Sequence, residues 1–466
     1  MPEPEIQTAK DSIWLRLIEG WNRWTGASVN RGIFGAALTI GALTVLVKLV
    51  SVAKELTVAK TFGTSDALDA FLIAFLLPLF AINVVAGSFN AALIPTFIRV
   101  REMEGAAAAQ RLLSNMLSWS LGLLLGVALL FALSANAVLP LMTSGFTTEK
   151  YALTRKLFFI LLPALVVCGL STTWSAVLNA GQKFALAALT PAITPIVTIV
   201  TIFALGAWWG IYAVAAGTIT GMALEAGLLG TGLRRRGYTL LPRWSGFDAP
   251  VKEVIGQCSP MAAGAVLMSS SLLIDQSMAA MLGPGSVASL NYGNKIVGLI
   301  LSIGSLALGT AVLPYFSRMV TANDWAGTRH TLRTYRRLVL LVSFPVTVGL
   351  AWASYPLVRI LFERGNFTLK DTQAVSIVTV CFALQIPFYL TGIMGVRLLN
   401  ALGKGRSIMM ICAVNMIANV TGNWVLMQSM GVAGIALSTS VVYLISCGQI
   451  FYVVANELKK RQSAVP

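Results

Sequence analysis

Acidic residues are scarce in this 466-residue chain, histidine is nearly absent and cysteine is sparse, and each shortage closes off a class of function. There are 18 Asp and Glu against 34 Lys and Arg, with one histidine and five cysteines. Cys168, Cys258, Cys381, Cys412 and Cys447 all fall in apolar stretches with no pair at metal-ligand spacing, so they read as reduced core residues. His330 lies in a basic linker, where a solvated imidazole is a simpler reading than a ligand or catalytic base. A phosphate loop of the GxxxxGK[ST] form, a nucleophile elbow and a metal-ligand cluster are all missing. The chain therefore reads as neither an enzyme nor a nucleotide-driven pump, with no cofactor and no metal.

What is present in excess is apolar surface. With 56% hydrophobic and only 11% charged residues, a chain of this length cannot cover itself with polar groups in water, so the bilayer is its solvent. A net charge of +16 would suit a nucleic-acid binder, but the basic residues sit in the linkers between apolar runs, which argues for a membrane orientation signal instead. A ruler of about 20 residues predicts about twelve transmembrane helices, near 33–61, 68–97, 112–141, 156–180, 184–207, 210–233, 255–282, 288–316, 335–358, 373–402, 407–429 and 432–456. The expected architecture is an all-α polytopic membrane protein.

The second half repeats the first. Pro95-Thr96-Phe97-Ile98-Arg99 returns as Pro314-Tyr315-Phe316-Ser317-Arg318, Leu178-Asn179-Ala180 returns as Leu399-Asn400-Ala401, and Gly210-Ile211 returns as Gly431-Val432. These matches lie 219 to 221 residues apart and in the same order, the mark of duplicated lobes of six spans each. An even number of spans per copy makes the repeat parallel rather than inverted. The expected organisation is a leader at 1–31, an N-terminal lobe at 32–245 and a C-terminal lobe at 246–466, around a central cavity.

Linker charges alternate. Lys10, Arg16, Arg23 and Arg31 precede the first span, and the second, sixth and eighth linkers carry Arg99, Arg101 and Arg111, then Arg234 to Arg236, Arg243 and Lys252, then Arg318, Arg329, Arg333, Arg336 and Arg337. The linkers between them, with Glu149, Lys150, Arg155 and Lys156 or Arg359, Glu363, Arg364, Lys370 and Asp371, are close to balanced. The orientation rule then places both termini in the cytoplasm. Within the leader, Ile13, Trp14, Leu17, Ile18, Trp21 and Trp24 fall at helical spacing among charges, which suits an interfacial amphipathic helix; a disordered leader is the alternative, and no cleavage site is visible.

Charges inside the spans cost about 2.5 to 3.5 kcal/mol each on insertion scales and so need a reason. Lys48, Ser51 and Glu55 share one face of the first helix, with Lys54 about a third of a turn away. Lys48 falls near mid-membrane, while Lys54 and Lys295 fall in the outer half. The three amines can line one cavity and attract a di-anionic headgroup, with Glu55, Asp69 and Asp275 as charge partners or coupling groups. The competing reading pairs Lys48 or Lys54 with Glu55 and Lys295 with Asp275. Glu225 and Arg397 lie near basic ends, where snorkelling or pairing with the linker suffices. Pro78, Pro163, Pro191, Pro195, Pro260, Pro345 and Pro387 permit helix bending, with ordinary close packing as the plainer reading for most of them.

These residues resemble the MviN/MurJ-like lipid-linked oligosaccharide flippases of the multidrug/oligosaccharidyl-lipid/polysaccharide exporter superfamily. The likeness runs through Lys48 to Glu55, Phe62-Gly63, Asp69-Ala70-Phe71 and Leu77-Pro78, then Leu178-Asn179, Leu241-Pro242-Arg243 and Tyr292 with Lys295. Its most specific string is Leu361-Phe362-Glu363-Arg364-Gly365-Asn366-Phe367-Thr368, close to the family's LFxRGxFT signature. A capped turn that shapes the fold is the plainer role for Phe362, Arg364, Gly365 and Phe367; direct binding is the other.

The resemblance implies a flippase of the bacterial cytoplasmic membrane. Its partner would be a polyprenyl-diphosphate-linked saccharide, lipid II or an exopolysaccharide repeat unit, moved from inner to outer leaflet by alternating access. The family's cavity cations map onto Lys48, Lys54 and Lys295, and its first-loop acid onto Asp69. Membrane potential or a monovalent cation would supply energy, and glycan synthases are candidate partners. Departures from the family are lysines where it has arginines, Ala81-Ile82-Asn83-Val84 where lipid II members carry adjacent arginines, and an end after about twelve helices. A multidrug cation extruder would show acids in the cavity, and a non-transporting scaffold would not need the lysines.

Overall fold

The computed structural model describes residues 29–181 and 184–462, so the leader read at 1–31 lies almost wholly outside the described residues. Among these residues the chain is helical throughout, and twelve rods can be followed. They comprise α1 (Val29–Phe62), α2 (Asp66–Met103), α3 (Ala106–Met142), α4 (Thr148–Leu161) with α5 (Pro163–Ala180), α6 (Phe184–Leu189) with α7 (Ile193–Trp209), and α8 (Ile211–Arg234). The second set is α9 (Ala249–Ala279), α10 (Ser286–Thr321), α11 (Trp325–Phe362), α12 (Leu369–Ala383) with α13 (Ile386–Ala401), α14 (Gly405–Met430) and α15 (Val432–Gln462).

Among the described residues, ten stretches are long and apolar enough to cross a bilayer. Lys48, Lys54 and Glu55 lie on α1, and Lys295 on α10. Large side chains such as Leu133, Phe203, Leu341 and Trp352 are exposed along the rods, as a lipid solvent requires.

Local sequence sets the breaks. Ser65, Thr147, Asp248, Asp324 and Thr368 each accept a backbone N–H of the helix they precede, and Thr368 forms a reciprocal capping box with Asp371. Pro163 opens α5 after the single joint residue Leu162, and Pro387 lies in the first turn of α13, so the fourth rod of each lobe is jointed where a proline removes a backbone donor.

The duplication is visible in backbone geometry. Gly210 joins α7 to α8 with φ 52 and ψ −130, and Gly431 joins α14 to α15 with φ 57 and ψ −132. That conformation is open to glycine and strained for other residues, so both copies keep the same corner.

Two apolar clusters hold the rods. One runs through both lobes, from Leu68 and Ile73 to Tyr292, Phe316 and Phe382. The other packs Phe89, Phe97, Leu112, Leu113 and Met116 against Val251, Val254 and Cys258, so the first turns of α9 seat on the N-terminal lobe. At the basic end Arg99 and Glu253 clasp the same junction with two hydrogen bonds, that from Nη1 being 2.9 Å. The lobes therefore meet along α2 and α9, and the charged residues gather at their seam.

Candidate functional site

Glu55 is the hub of the seam. Its Oε1 lies 2.9 Å from Nζ of Lys54, its neighbour on α1, and 2.9 Å from Nζ of Lys295 on α10 of the other lobe. One oxygen thus receives two ammonium groups. The carboxylate is 14% exposed, while Lys54 and Lys295 are 30% and 49% exposed, so the amines stay open on their far side. Lys48 is exposed and makes no ion pair among the described residues. Lys54 pairs with Glu55 as the internal-pairing reading expects, while Lys295 takes Glu55 in place of Asp275, and both amines remain partly exposed.

Asp275 does not pair with Lys295. It lies on the inner side of the C-terminal lobe, whereas Lys295 points across the seam, so the expected pairing gives way to neutral donors. Its Oδ1 accepts from Asn419 Nδ2 at 3.0 Å and Asn423 Nδ2 at 2.7 Å, and its Oδ2 from Thr439 Oγ1 at 3.1 Å. Around it the carbonyl oxygens of Asn419, Asn423 and neighbouring Gln276 are buried and unpartnered. The carboxylate is thus held by two amide N–H groups and a hydroxyl rather than by a cation, and the two asparagines leave their own carbonyl oxygens without a partner.

Asp69 closes the balanced end. Its Oδ2 accepts from the amide of Gly285 at 2.8 Å and its Oδ1 from Ala288 at 2.8 Å, so it caps α10 from the opposite lobe. Helix N-termini favour a negative charge there, because their first amides have no partner within the helix. Lys150 completes the group, with Nζ 2.8 Å from Asp69 and 2.5 Å from Asp66, and stands over the Phe146 ring at 4.1 Å. Asp69 and Lys150 are both buried, which makes the junction an ion pair inside a folded interface.

The LFxRGxFT-like string lies at the same end, bearing on α1. Asn366 donates its amide to Lys60 O at 2.9 Å and its side-chain Nδ2 to Thr61 O at 2.5 Å, while Thr64 donates to Asp371. Gly365 has φ +61, and a Cβ there would collide with the Lys60 carbonyl; Gly63, at φ +56, would collide with Asn366 in the same way. Phe362 and Phe367 pack on Tyr292 of α10, the first tilted and the second edge-on, at 5.1 and 5.6 Å between centroids. The Arg364 side chain turns back to donate to Ile360 O in the last turn of α11, at 2.9 Å. The turn is capped as expected, and it also docks one lobe on the other, a contact the periodicity does not carry.

Sequence reasoning missed Lys150, Asn419, Asn423 and Thr439. Lys150 stood in a balanced linker and the other three are uncharged, though two asparagines four apart in an apolar helix were a visible signal. Glu225 is likewise corrected: it accepts from Thr194 Oγ1 at 3.1 Å instead of snorkelling to a linker.

The chain matches the family described as "Lipid II flippase MurJ" over residues 58–465. It is 26% identical over 433 residues to a probable lipid II flippase MurJ of Synechocystis sp., covering 90% of this chain and 80% of the relative. To the lipid II flippase MurJ of Burkholderia cenocepacia it is 27% identical over 434 residues, 88% of this chain and 81% of that one. Among solved structures, a lipid II flippase MurJ in an inward closed conformation superposes with TM-score 0.78 at 22% identity, covering 91% of this chain and 90% of the other. An inward-facing multidrug resistance MATE family transporter gives 0.76 at 13% identity, covering 92% and 100%; at such identities the likeness is one of fold. With a match that spans most of its length, this chain belongs to the lipid II flippase MurJ family.

Proposed function

We propose that this protein flips a polyprenyl-diphosphate-linked saccharide from the inner to the outer leaflet of the bacterial cytoplasmic membrane by alternating access of its two lobes. The observation that carries the reading is the shared carboxylate at the seam, where Glu55 holds Lys54 and Lys295 from opposite lobes. Lys48, Lys54 and Lys295 carry three positive charges and Glu55 one negative, leaving two, the charge a diphosphate diester presents. The substrate's phosphates would compete with Glu55 for the ammonium groups, so binding and the rearrangement of the lobe contact become one event.

In this reading the basic end faces the cytoplasm, as does each terminus, and the balanced end, closed by Asp69, Lys150 and the Asn366 turn, faces outward. The saccharide occupies the seam while the prenyl tail stays in lipid. Lipid II is the substrate that the names of the relatives support, and an exopolysaccharide repeat unit is the second candidate. A coupling cation would bind at Asp275 with Thr439 Oγ1 and, once their side-chain amides turn over, the Asn419 and Asn423 carbonyls, and it would supply a charge whose binding the ion gradient drives.

The test is native mass spectrometry of the protein reconstituted in liposomes, offered lipid II, an unrelated undecaprenyl-diphosphate glycan and a cationic drug. Retention of a diphosphate lipid, lost in Lys48→Ala and Lys295→Ala, is the expected result and names the substrate. Retention of the drug alone would make the protein an extruder.

A further inference from the structure

The basic end of the N-terminal lobe holds a cavity of about 660 Å³ that lies apart from the seam. Its walls come from α2, α3, α5 and α8 and the turn after α8, all in one lobe. Arg101 and Arg236 both line it, and neither makes an ion pair among the described residues. The contrast with Arg99 is direct: two residues away on α2, it is taken up by Glu253. Two solvent-exposed cations share one concavity, and among the described residues no carboxylate pairs with them.

The backbone adds to this. Ala106 and Ala107, the first residues of α3, also line the cavity. The residue before them is Gly105, at φ 87, and it offers no side-chain cap, so the first amides of α3 have no partner in the helix. Free amides at a helix start with two guanidinium groups beside them make a phosphate-binding arrangement.

The cavity is also prebuilt and amphipathic. Gln110 fixes the far wall by donating to Thr239 O at 2.9 Å and accepting from Thr239 N at 3.0 Å. Tyr238, held 6.2 Å from the Phe97 ring, lines it too, and Leu178 and Leu233 form an apolar floor. An inorganic ion alone would leave that floor unused. We propose that this cavity binds a phosphate ester, with the phosphate between Arg101, Arg236 and the start of α3 and the organic part against Tyr238 and the floor. A phospholipid headgroup and a soluble organic phosphate share this chemistry.

Full-length protein in detergent is titrated with phosphatidylglycerol and, separately, with glycerol 1-phosphate, and bound species are counted by native mass spectrometry. The comparison is R101A/R236A against R234A/R235A, which removes the same charge from arginines that are exposed like the first pair but do not line the cavity. R101Q/R236Q, which keeps two long polar side chains, serves if the alanine pair does not fold. One retained molecule is expected, with affinity falling at least tenfold in the cavity pair and less than twofold in the pair outside it. Retention of phosphatidylglycerol alone assigns a lipid headgroup, and retention of glycerol 1-phosphate assigns a soluble ester. Equal losses in the two pairs, no loss in either, or retention of neither probe would overturn the proposal.

Discussion

Asp69 of the N-terminal lobe accepts the amide of Gly285, 216 positions further along the chain, at 2.8 Å, and thereby starts a helix that belongs to the other lobe. The contact makes the closed balanced end a property of a carboxylate and a helix dipole together. Opening that end must strip Asp69 of two amides and leave the first turn of α10 uncapped.

Asp69→Ala therefore removes the cap and half of the Lys150 pairing at once. Breaking one partner of a buried ion pair costs about 3 to 5 kcal/mol. The expected outcome is a lower thermal midpoint and a population shifted toward the open balanced end, read as faster maleimide labelling of a cysteine placed at Thr64. Unchanged labelling would mean that the turn at Asn366 closes this end without Asp69.

The seam charges predict opposite signs for two substitutions. Lys295→Ala removes one of two ammonium groups on Glu55 and should weaken diphosphate-lipid retention about tenfold, or about 1.4 kcal/mol. Glu55→Gln removes the competing anion and should tighten retention while slowing flipping, because release no longer has a carboxylate to hand the amines back to. Parallel binding and flipping assays on proteoliposomes separate the two effects, and weaker binding in both variants would sink the exchange.

Gly365→Ala should be far more damaging than Arg364→Ala. The new Cβ meets the Lys60 carbonyl in a left-handed backbone, whereas the Arg364 side chain bonds back to Ile360 at the end of α11 and not across the lobes. Loss of flipping in Gly365→Ala at normal membrane abundance, with Arg364→Ala near wild type, is the expected pattern. Cysteines at Thr64 and Asp371, whose side chains meet across the lobes, should lock the protein when oxidised and release it on reduction.

Asp275→Asn should abolish any dependence of flipping on sodium or potassium while leaving diphosphate-lipid retention intact, since the group faces α14 and α15 and not the seam. Flipping measured with and without an imposed ion gradient decides it. A variant that still responds to the gradient would place coupling elsewhere.

Much of this was legible from residues alone. Apolar run lengths carried the rods, because run length is a local signal; which two of the seven prolines mark joints, Pro163 and Pro387, only the structure shows. The partners were not legible. Glu55 and Lys295 are 240 positions apart, and helical periodicity says which face a residue takes without saying which helix that face meets. Asn419 and Asn423 escaped for another reason: a charge search passes over amides, although they are the groups that hold Asp275.

Glu55 and Asp275 are themselves 220 positions apart, within the stride of the repeated strings, so they stand at corresponding places in the two halves. Their surroundings differ. The first acid is a counter-ion to two ammonium groups and is shared between lobes; the second is held by amides and a hydroxyl within its own lobe. A twofold-repeated frame thus carries one acid that ties the halves together and one that ties helices within a half.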